Sequence, residues 1–280
     1  MRYDNYKLLK TTVDCGVATV AIDNPPINLF DMPMIEEMMQ LGHDLEADDD
    51  VRVVIFESAD ADFFIAHADI TLIQQMPEAD TEKPTTLSFF HEMLEKFRTM
   101  PKVTIGKIAG RARGGGSELL LALDMRFAAY GSLFNQPEVS VGIIPGGGGS
   151  ARLPRLIGRG RALEVILGCE DITAEVAERY GYINRALPPE ELSPFVLRLA
   201  RRIAAFPPET VALAKAAVDA GDGMATVDAL LEEQHCFNQA LATPAARDGM
   251  ARFMQLGGQT REVELDLDGM IDKLISNPAD

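Results

Sequence analysis

The residues best placed to do chemistry are two glutamates twenty positions apart, Glu118 and Glu138, each beside backbone that only glycine or proline would favour. Glu118 follows Gly114-Gly115-Gly116-Ser117. Glu138 ends Gln136-Pro137-Glu138, shortly before Pro145 and the four glycines Gly146 to Gly149. Glycine lets a chain approach a ligand closely with its N–H groups exposed. A helix opening directly after such a turn aims unpaired N–H groups at arriving negative charge. Two carboxylates next to such donors outline an oxyanion site.

The helix expected from Ser117 to about Met125 contains Glu-Leu-Leu-Leu-Ala-Leu and is apolar on every side, which implies burial. A carboxylate in its first turn gains about 0.3–1 kcal/mol from the helix dipole, so Glu118 has a purely structural reading. Yet an ionisable group against a buried apolar helix costs more than the dipole returns, and it needs a hydrogen-bond partner, a shifted pKa or a role. Glu138 has a structural reading too, as part of a turn leading into a strand from Val139 to Ile144. Its pairing with Glu118 is what singles it out.

These residues need a core to hold them, and 280 residues suffice for one. Leu8 to Thr12 and Val17 to Ile22 flank Asp14-Cys15-Gly16 and read as a hairpin. Asp31 caps a helix through Met34 to Leu45, with Pro33 in its first turn. Val51 to Phe56 reads as a strand. Phe63 to Ala66 then leads into His67-Ala68-Asp69 and a further helix, and Val103 to Ala109 is a strand feeding the triple glycine. Strands alternating with helices imply an α/β core over residues 1–205. Beyond Leu187-Pro188-Pro189 the pattern is helical: Glu191 to Ala205, Pro208 to Ala220, Val227 to Leu241 and Ala245 to Gln255. Residues 206–280 form a helical region, ending in an acidic, solvated tail from Glu262.

Charge and composition exclude several functions. The 43 acidic and 26 basic residues give a net charge of -17, which opposes binding to nucleic acid or an anionic membrane. From Arg98 to Arg161, however, ten basic residues face three acidic ones, a local surplus that would draw an anionic small molecule. Cys15, Cys169 and Cys236 are odd in number and widely spaced, and His43, His67, His91 and His235 lack ligand spacing, so no metal or disulfide framework is expected. The cysteine usage fits a reducing cytoplasm; the start has no apolar core and no apolar run approaches the ~20 residues of a membrane span, so a soluble, cytoplasmic protein is expected. Gly146-x-Gly148-x-x-Ala151 matches a dinucleotide-binding turn formally. Pro145 interrupts the required strand-to-turn step, and Arg161 to Leu167 reads as helix where that motif needs a second strand.

Lys107-Ile108-Ala109-Gly110 through the triple glycine to Glu118, Phe134-Asn135-Gln136-Pro137-Glu138, Gly142-Ile143-Ile144-Pro145 and Arg152-Leu153-Pro154-Arg155 together resemble the crotonase, or enoyl-CoA hydratase/isomerase, family. The likeness runs from Asn24-Pro25-Pro26 to about Leu187. It implies a crotonase-like spiral of ββα units with a C-terminal helical trimerisation region, and a homotrimer or hexamer. It also implies an acyl-CoA substrate, with coenzyme A entering as part of the substrate and no separate cofactor. By position, the backbone N–H groups of Ala68 and Gly115 become the oxyanion donors, and Glu118 and Glu138 the catalytic pair. Ala66, His67, Asp69, Gly114 and Gly146 line the substrate.

The implied reaction is hydration of a 2-enoyl-CoA, with double-bond isomerisation, thioester or β-diketone C–C hydrolysis, and a non-catalytic homologue as alternatives. The chain departs from the family pattern at three places. His67 stands where the family commonly has Gly, Thr71 where a CoA-contacting lysine is often found, and Gln255-Leu256-Gly257-Gly258-Gln259-Thr260 where many members are rich in Lys and Arg.

Overall fold

Cys15 and Gly16 both lie in the left-handed region, at φ 49° and 76°, the geometry of a two-residue turn whose twist suits a hairpin. They join β1 (Leu9–Asp14) to β2 (Val17–Ile22) in antiparallel register, Asp14 opposite Val17 and Leu9 opposite Ile22. The computed structural model describes residues 2–76 and 82–276. Helix α1 (Met32–Ala47) starts where Asp31 accepts from the Met34 N–H at 2.9 Å, and it buries Met34, Ile35, Met38, Leu41 and Leu45 at helical spacing.

From β3 onward one unit recurs: a long strand joins a large sheet, a short strand crosses to a second sheet, and the chain turns into helix. The first pass is β3 (Val53–Ser58), β4 (Phe63–Ile65), α2 (Ile70–Gln74) and α3 (Phe89–Thr99). The second is β5 (Val103–Ile108), β6 (Arg111–Arg113) and α4 (Gly115–Ala122). The third is β7 (Met125–Ala129), β8 (Leu133–Asn135), a 3-10 turn (Glu138–Val141), α5 (Gly149–Ile157) and α6 (Arg159–Gly168). β9 (Ile172–Thr173), α7 (Ala174–Tyr180), β10 (Arg185–Leu187) and α8 (Pro189–Ala204) follow. The large sheet runs β1-β2-β3-β5-β7-β10, parallel beyond β2, and the small one β4-β6-β8-β9. This is the expected spiral.

Its consequence for function lies in the small sheet. β4, β6 and β8 are parallel neighbours, with Ile65 beside Ala112 and Arg113 beside Asn135. Their C-terminal ends therefore emerge side by side and deliver residues 66–69, 114–118 and 136–138 to one place. Helix α4 is buried along its whole length, as its uniform apolarity implied. It stops at Ala122, short of Met125, because β7 begins there. The buried Arg126 guanidinium closes its C-terminal end, donating to Leu120 O at 3.1 Å and Leu123 O at 2.7 Å.

The expected strand from Val139 to Ile144 is not formed. Glu138–Val141 is a 3-10 turn ended by Gly142 at φ 84°, and Val141 and Ile144 are exposed with no partner strand among the described residues. Apolar residues there reflect surface, not sheet core. A second compact unit begins at Arg201 and holds α9 (Pro208–Gly223), α10 (Thr226–Ala242), α11 (Pro244–Gln255), α12 (Arg261–Glu264) and α13 (Leu267–Ile275). The acidic tail is thus helical through Ile275: Asp266 caps α13 and Met270 is buried, an apolar spacing hidden among the charges. Residues 277–280 of that tail lie outside the described residues.

Asn28 ties these layers together. It is buried in the left-handed region at φ 52°, a conformation asparagine tolerates. Its amide nitrogen donates to Ser58 Oγ at 2.8 Å and to Phe63 O and Phe64 O at 3.2 Å, while its oxygen accepts from the Asn24 N–H at 2.8 Å. That pins residues 24–30 against β3 and β4. Phe30 can then bridge to Ala68, donating to His67 O at 3.0 Å and accepting from the Asp69 N–H at 2.9 Å. Asn28→Ala strands several buried carbonyls, and we expect a loss of roughly 2–3 kcal/mol, read as a lower urea midpoint with an unchanged m-value.

Candidate active site

The second spiral pass ends at Gly114, whose φ of 48° and ψ of -123° suit a residue without a Cβ. Its N–H is held by Asn135 O at 3.0 Å, so the turn is fastened to the end of β8. A Cβ on Gly114 would lie 2.9 Å from Glu138 Oε1 and 3.4 Å from His67 Cβ. One on Gly115 would lie 3.4 Å from the Ala68 nitrogen. Glu138, His67 and Ala68 therefore gather around Gly114 and Gly115. Among the described residues neither the Ala68 N–H nor the Gly115 N–H has a hydrogen-bond partner. Orphan donors at a helix start are available to a ligand oxygen.

Glu118 is 4% exposed and enters from the first turn of α4. Its Oε1 accepts from the Gly147 N–H at 2.6 Å and the Gly149 N–H at 2.9 Å. A Cβ on Gly147 would strike Glu118 Oε2 at 2.5 Å and the Phe90 ring at 2.3 Å, so this glycine admits both to its surface. Phe90 packs edge-on against Phe30, with centroids 5.4 Å apart, so its ring is held beside Gly147 as the carboxylate is. Burial pushes the Glu118 carboxyl up, while the two N–H donors and the Arg152 charge pull the other way.

Glu138 rises from the 3-10 turn. Burial and the nearby Glu118 charge push it up to about 7, against a hydrogen bond from its own backbone N–H. With the Gln136 amide oriented to satisfy its neighbours, Nε2 donates to both Glu138 oxygens at 3.2 Å, and Oε1 accepts from Ser117 Oγ at 2.9 Å. Ser117 Oγ in turn bonds the Tyr182 hydroxyl, which burial pushes up to about 12 and so keeps protonated. A chain of donors from buried Tyr182 through Ser117 and Gln136 ends on Glu138.

The remaining candidates divide. Ala66 is buried and donates to Ile27 O at 3.2 Å, and Asp69 caps α2 by accepting from the Thr71 N–H at 2.8 Å. Both shape the turn around Ala68. His67 Nδ1 lies 2.8 Å from Ala68 O, and since a carbonyl only accepts, Nδ1 carries the proton. Gly146 is exposed and contacts neither carboxylate; the donors to Glu118 come from its successors Gly147 and Gly149.

Sequence reasoning missed those two donors, together with Gln136, Tyr182 and Phe90. The signal the sequence carried was the Gly146–Gly149 run itself, a stretch of backbone able to approach another group closely. Among the described residues no group of three or more His, Cys, Asp or Glu stands ready to hold a metal ion, and no helix is long and apolar enough to cross a membrane.

The local basic surplus is mostly consumed inside the fold. Arg113 pairs with Asp171, Lys107 with Glu57, Arg111 with Asp62, and Arg98 and Arg152 with Glu95. Lys102 and Arg126 cap backbone carbonyls, and Arg161 lies over the Tyr180 ring. Among the described residues, only Arg155 and Arg159 of the ten have no side-chain hydrogen bond, ion pair or ring contact.

Comparison with known proteins bears on the family and the fold. A family profile described as enoyl-CoA hydratase/isomerase matches residues 12–259. The short-chain-enoyl-CoA hydratase of Clostridium acetobutylicum is 32% identical over 85% of this chain and 91% of its own length. The crotonyl-CoA hydratase of Syntrophomonas wolfei is 33% identical over 91% of this chain and 96% of its own. The crystal structure of an enoyl-CoA hydratase from Bacillus anthracis superposes with a TM-score of 0.82 at 29% identity, covering 89% of this chain and 96% of that one. On fold, motif and extent of match, this chain belongs to the enoyl-CoA hydratase/isomerase family.

Proposed function

We propose that the protein is an enoyl-CoA hydratase, adding water across the 2,3-double bond of a 2-enoyl-CoA by way of a thioester enolate. The observation that carries this reading is the convergence of a buried carboxylate, Glu118, and a half-buried one, Glu138, on two backbone N–H groups without partners among the described residues. In this reading the thioester oxygen sits between the Ala68 and Gly115 N–H groups, which stabilise the charge it gains as the enolate forms. Loss of one such donor typically costs ~10²- to 10³-fold in rate. Glu118, kept competent as a base by Gly147 and Gly149, takes a proton from the water that attacks C3. Glu138, near neutrality in its proton affinity, delivers one to C2. Coenzyme A enters as the carrier of the acyl group, and a short acyl chain fits the relatives' names. The exposed apolar residues Val227, Leu230, Leu231 and Phe237 of α10 support self-association into a homotrimer or hexamer. The net charge of -17 supports a protein that does not bind nucleic acid, and the three unpaired, widely spaced cysteines support a reducing cytoplasm.

Assay on a panel of 2-enoyl-CoA esters, with products identified by mass, tests the reaction class directly. Glu118→Gln and Glu138→Gln should each lower turnover at least ~10²-fold with the circular-dichroism spectrum preserved. Full turnover in either folded variant would sink the two-carboxylate mechanism, and loss in Glu138→Gln alone would indicate isomerisation.

The raised affinity of Glu138 also has a thermodynamic signature. Its folded pKa of about 7 lies above the unfolded value of ~4.3, so the folded protein holds this proton more tightly and loses that stability as pH rises through the interval. Glu138→Gln should therefore melt higher than the parent at pH 8, with a margin that shrinks on acidification and vanishes below about pH 4.3. Melting curves at four or five pH values check the trend, and a pH-independent difference would contradict it.

A further inference from the structure

Glu118 is only as well placed as the two N–H groups it accepts from, and the loop that supplies them is gripped from its other side. Between the donors Gly147 and Gly149 lies the Gly147 carbonyl, which accepts from Arg152 Nη1 at 3.0 Å. Arg152 lies in α5, its own N–H donating to Gly148 O at 2.8 Å, and its guanidinium folds back over the loop. A Cβ on Gly148 would lie 2.0 Å from Nη1, and Gly148 sits at φ 115°, so glycine at 148 and arginine at 152 form one device. The second arm of the fork, Nη2, donates to Glu95 Oε1 of α3 at 2.5 Å, and the other Glu95 oxygen accepts from Arg98 Nε at 2.8 Å. The Arg152 and Glu95 side chains are 17% and 27% exposed, shielded enough for the pair to hold its geometry. Helix α3 also carries Phe90, which packs on Gly147.

We propose that Arg152 and Glu95 form a clamp that positions the Gly147–Gly149 loop and, through it, Glu118, making both of them positioning residues for the water-activating step. This rests on the reading of Glu118 as the water-side base. A planar guanidinium has the two-pronged shape to bind a carbonyl and a carboxylate at once, which a lysine ammonium lacks. Its charge favours the ionised form of Glu118, and Glu95 tempers that charge. The other titratable groups facing Glu118 are Glu138 from the 3-10 turn and Tyr182 from the segment before β10; Glu95 acts on Glu118 through Arg152.

The test measures kcat, KM and the pH dependence of kcat/KM on a 2-enoyl-CoA for Arg152→Gln, Arg152→Lys and Glu95→Gln. Arg152→Gln should lower kcat about 10- to 100-fold with KM nearly unchanged, because a misplaced base costs rate more than binding. Its acid limb should move up by about one pH unit, since removing a positive neighbour makes Glu118 harder to ionise. Arg152→Lys should keep the acid limb near its original place yet lose about 10-fold in kcat. Glu95→Gln should move the limb the opposite way, downward, because it unmasks the arginine charge.

The clamp is overturned if folded Arg152→Gln keeps parental kcat and acid limb, or if Arg152→Gln and Glu95→Gln shift the limb in the same direction. Should Arg152→Gln fail to fold, Arg152→Lys and Glu95→Gln decide: parental kcat in both, with unmoved limbs, overturns it. Glu118→Gln measured alongside separates the two levels. Parental turnover there removes the base assignment itself, whereas its loss beside intact Arg152 variants removes the clamp alone.

Discussion

A carboxylate cannot be buried among leucines and phenylalanines unless the backbone supplies its hydrogen bonds. Glu118 is in that position, on a helix with no exposed face and against the same Gly147 as the Phe90 ring, and the loop of Gly147 to Gly149 meets the requirement. Side chains at these glycines would fill the space that the carboxylate, the ring and the arginine occupy. The glycine run is a packing solution for a charged group inside a hydrophobic wall, and the raised proton affinity measures how incompletely the wall is offset.

The small sheet turns that local solution into a candidate site. Parallel pairing of β4, β6 and β8 fixes where three strands stop relative to one another, and each delivers one part: the Ala68 N–H, the Gly115 N–H with Glu118, and Glu138. Positioning of this kind uses rigid elements rather than long loops, which suits groups that must be held to fractions of an ångström. The fourth part, the Gly147 to Gly149 loop, comes after the third strand and is anchored separately by the arginine of α5.

Electrostatics in this protein is local. A chain of net charge -17 still encloses a segment rich in arginine, but most of those side chains meet acids or carbonyls contributed from elsewhere in the fold. Counting charges along the segment therefore overstates what it can offer a ligand. Each pair draws its acidic member from outside the stretch or from its edge, as with Asp171 for Arg113 and Glu95 for Arg152.

The two glutamates, the triple glycine, the hairpin turn, the buried α4 and the family likeness were legible in the chain itself, because each rests on a local rule: glycine conformation, helix periodicity, cap residues or a contiguous motif. The strand read at Val139 to Ile144 failed because apolar β-branched residues fit a surface turn as well as a sheet when a glycine ends the segment. Gly147 and Gly149 as carboxylate donors, Gln136 and Tyr182 behind Glu138, and Glu95 opposite Arg152 were decided by tertiary structure alone. Those partners lie 29 and 31 residues apart for the two donors and 57 for the ion pair. No periodicity or spacing rule spans such distances, since what brings the groups together is the register of three parallel strands and the packing of α3 against the loop that follows them.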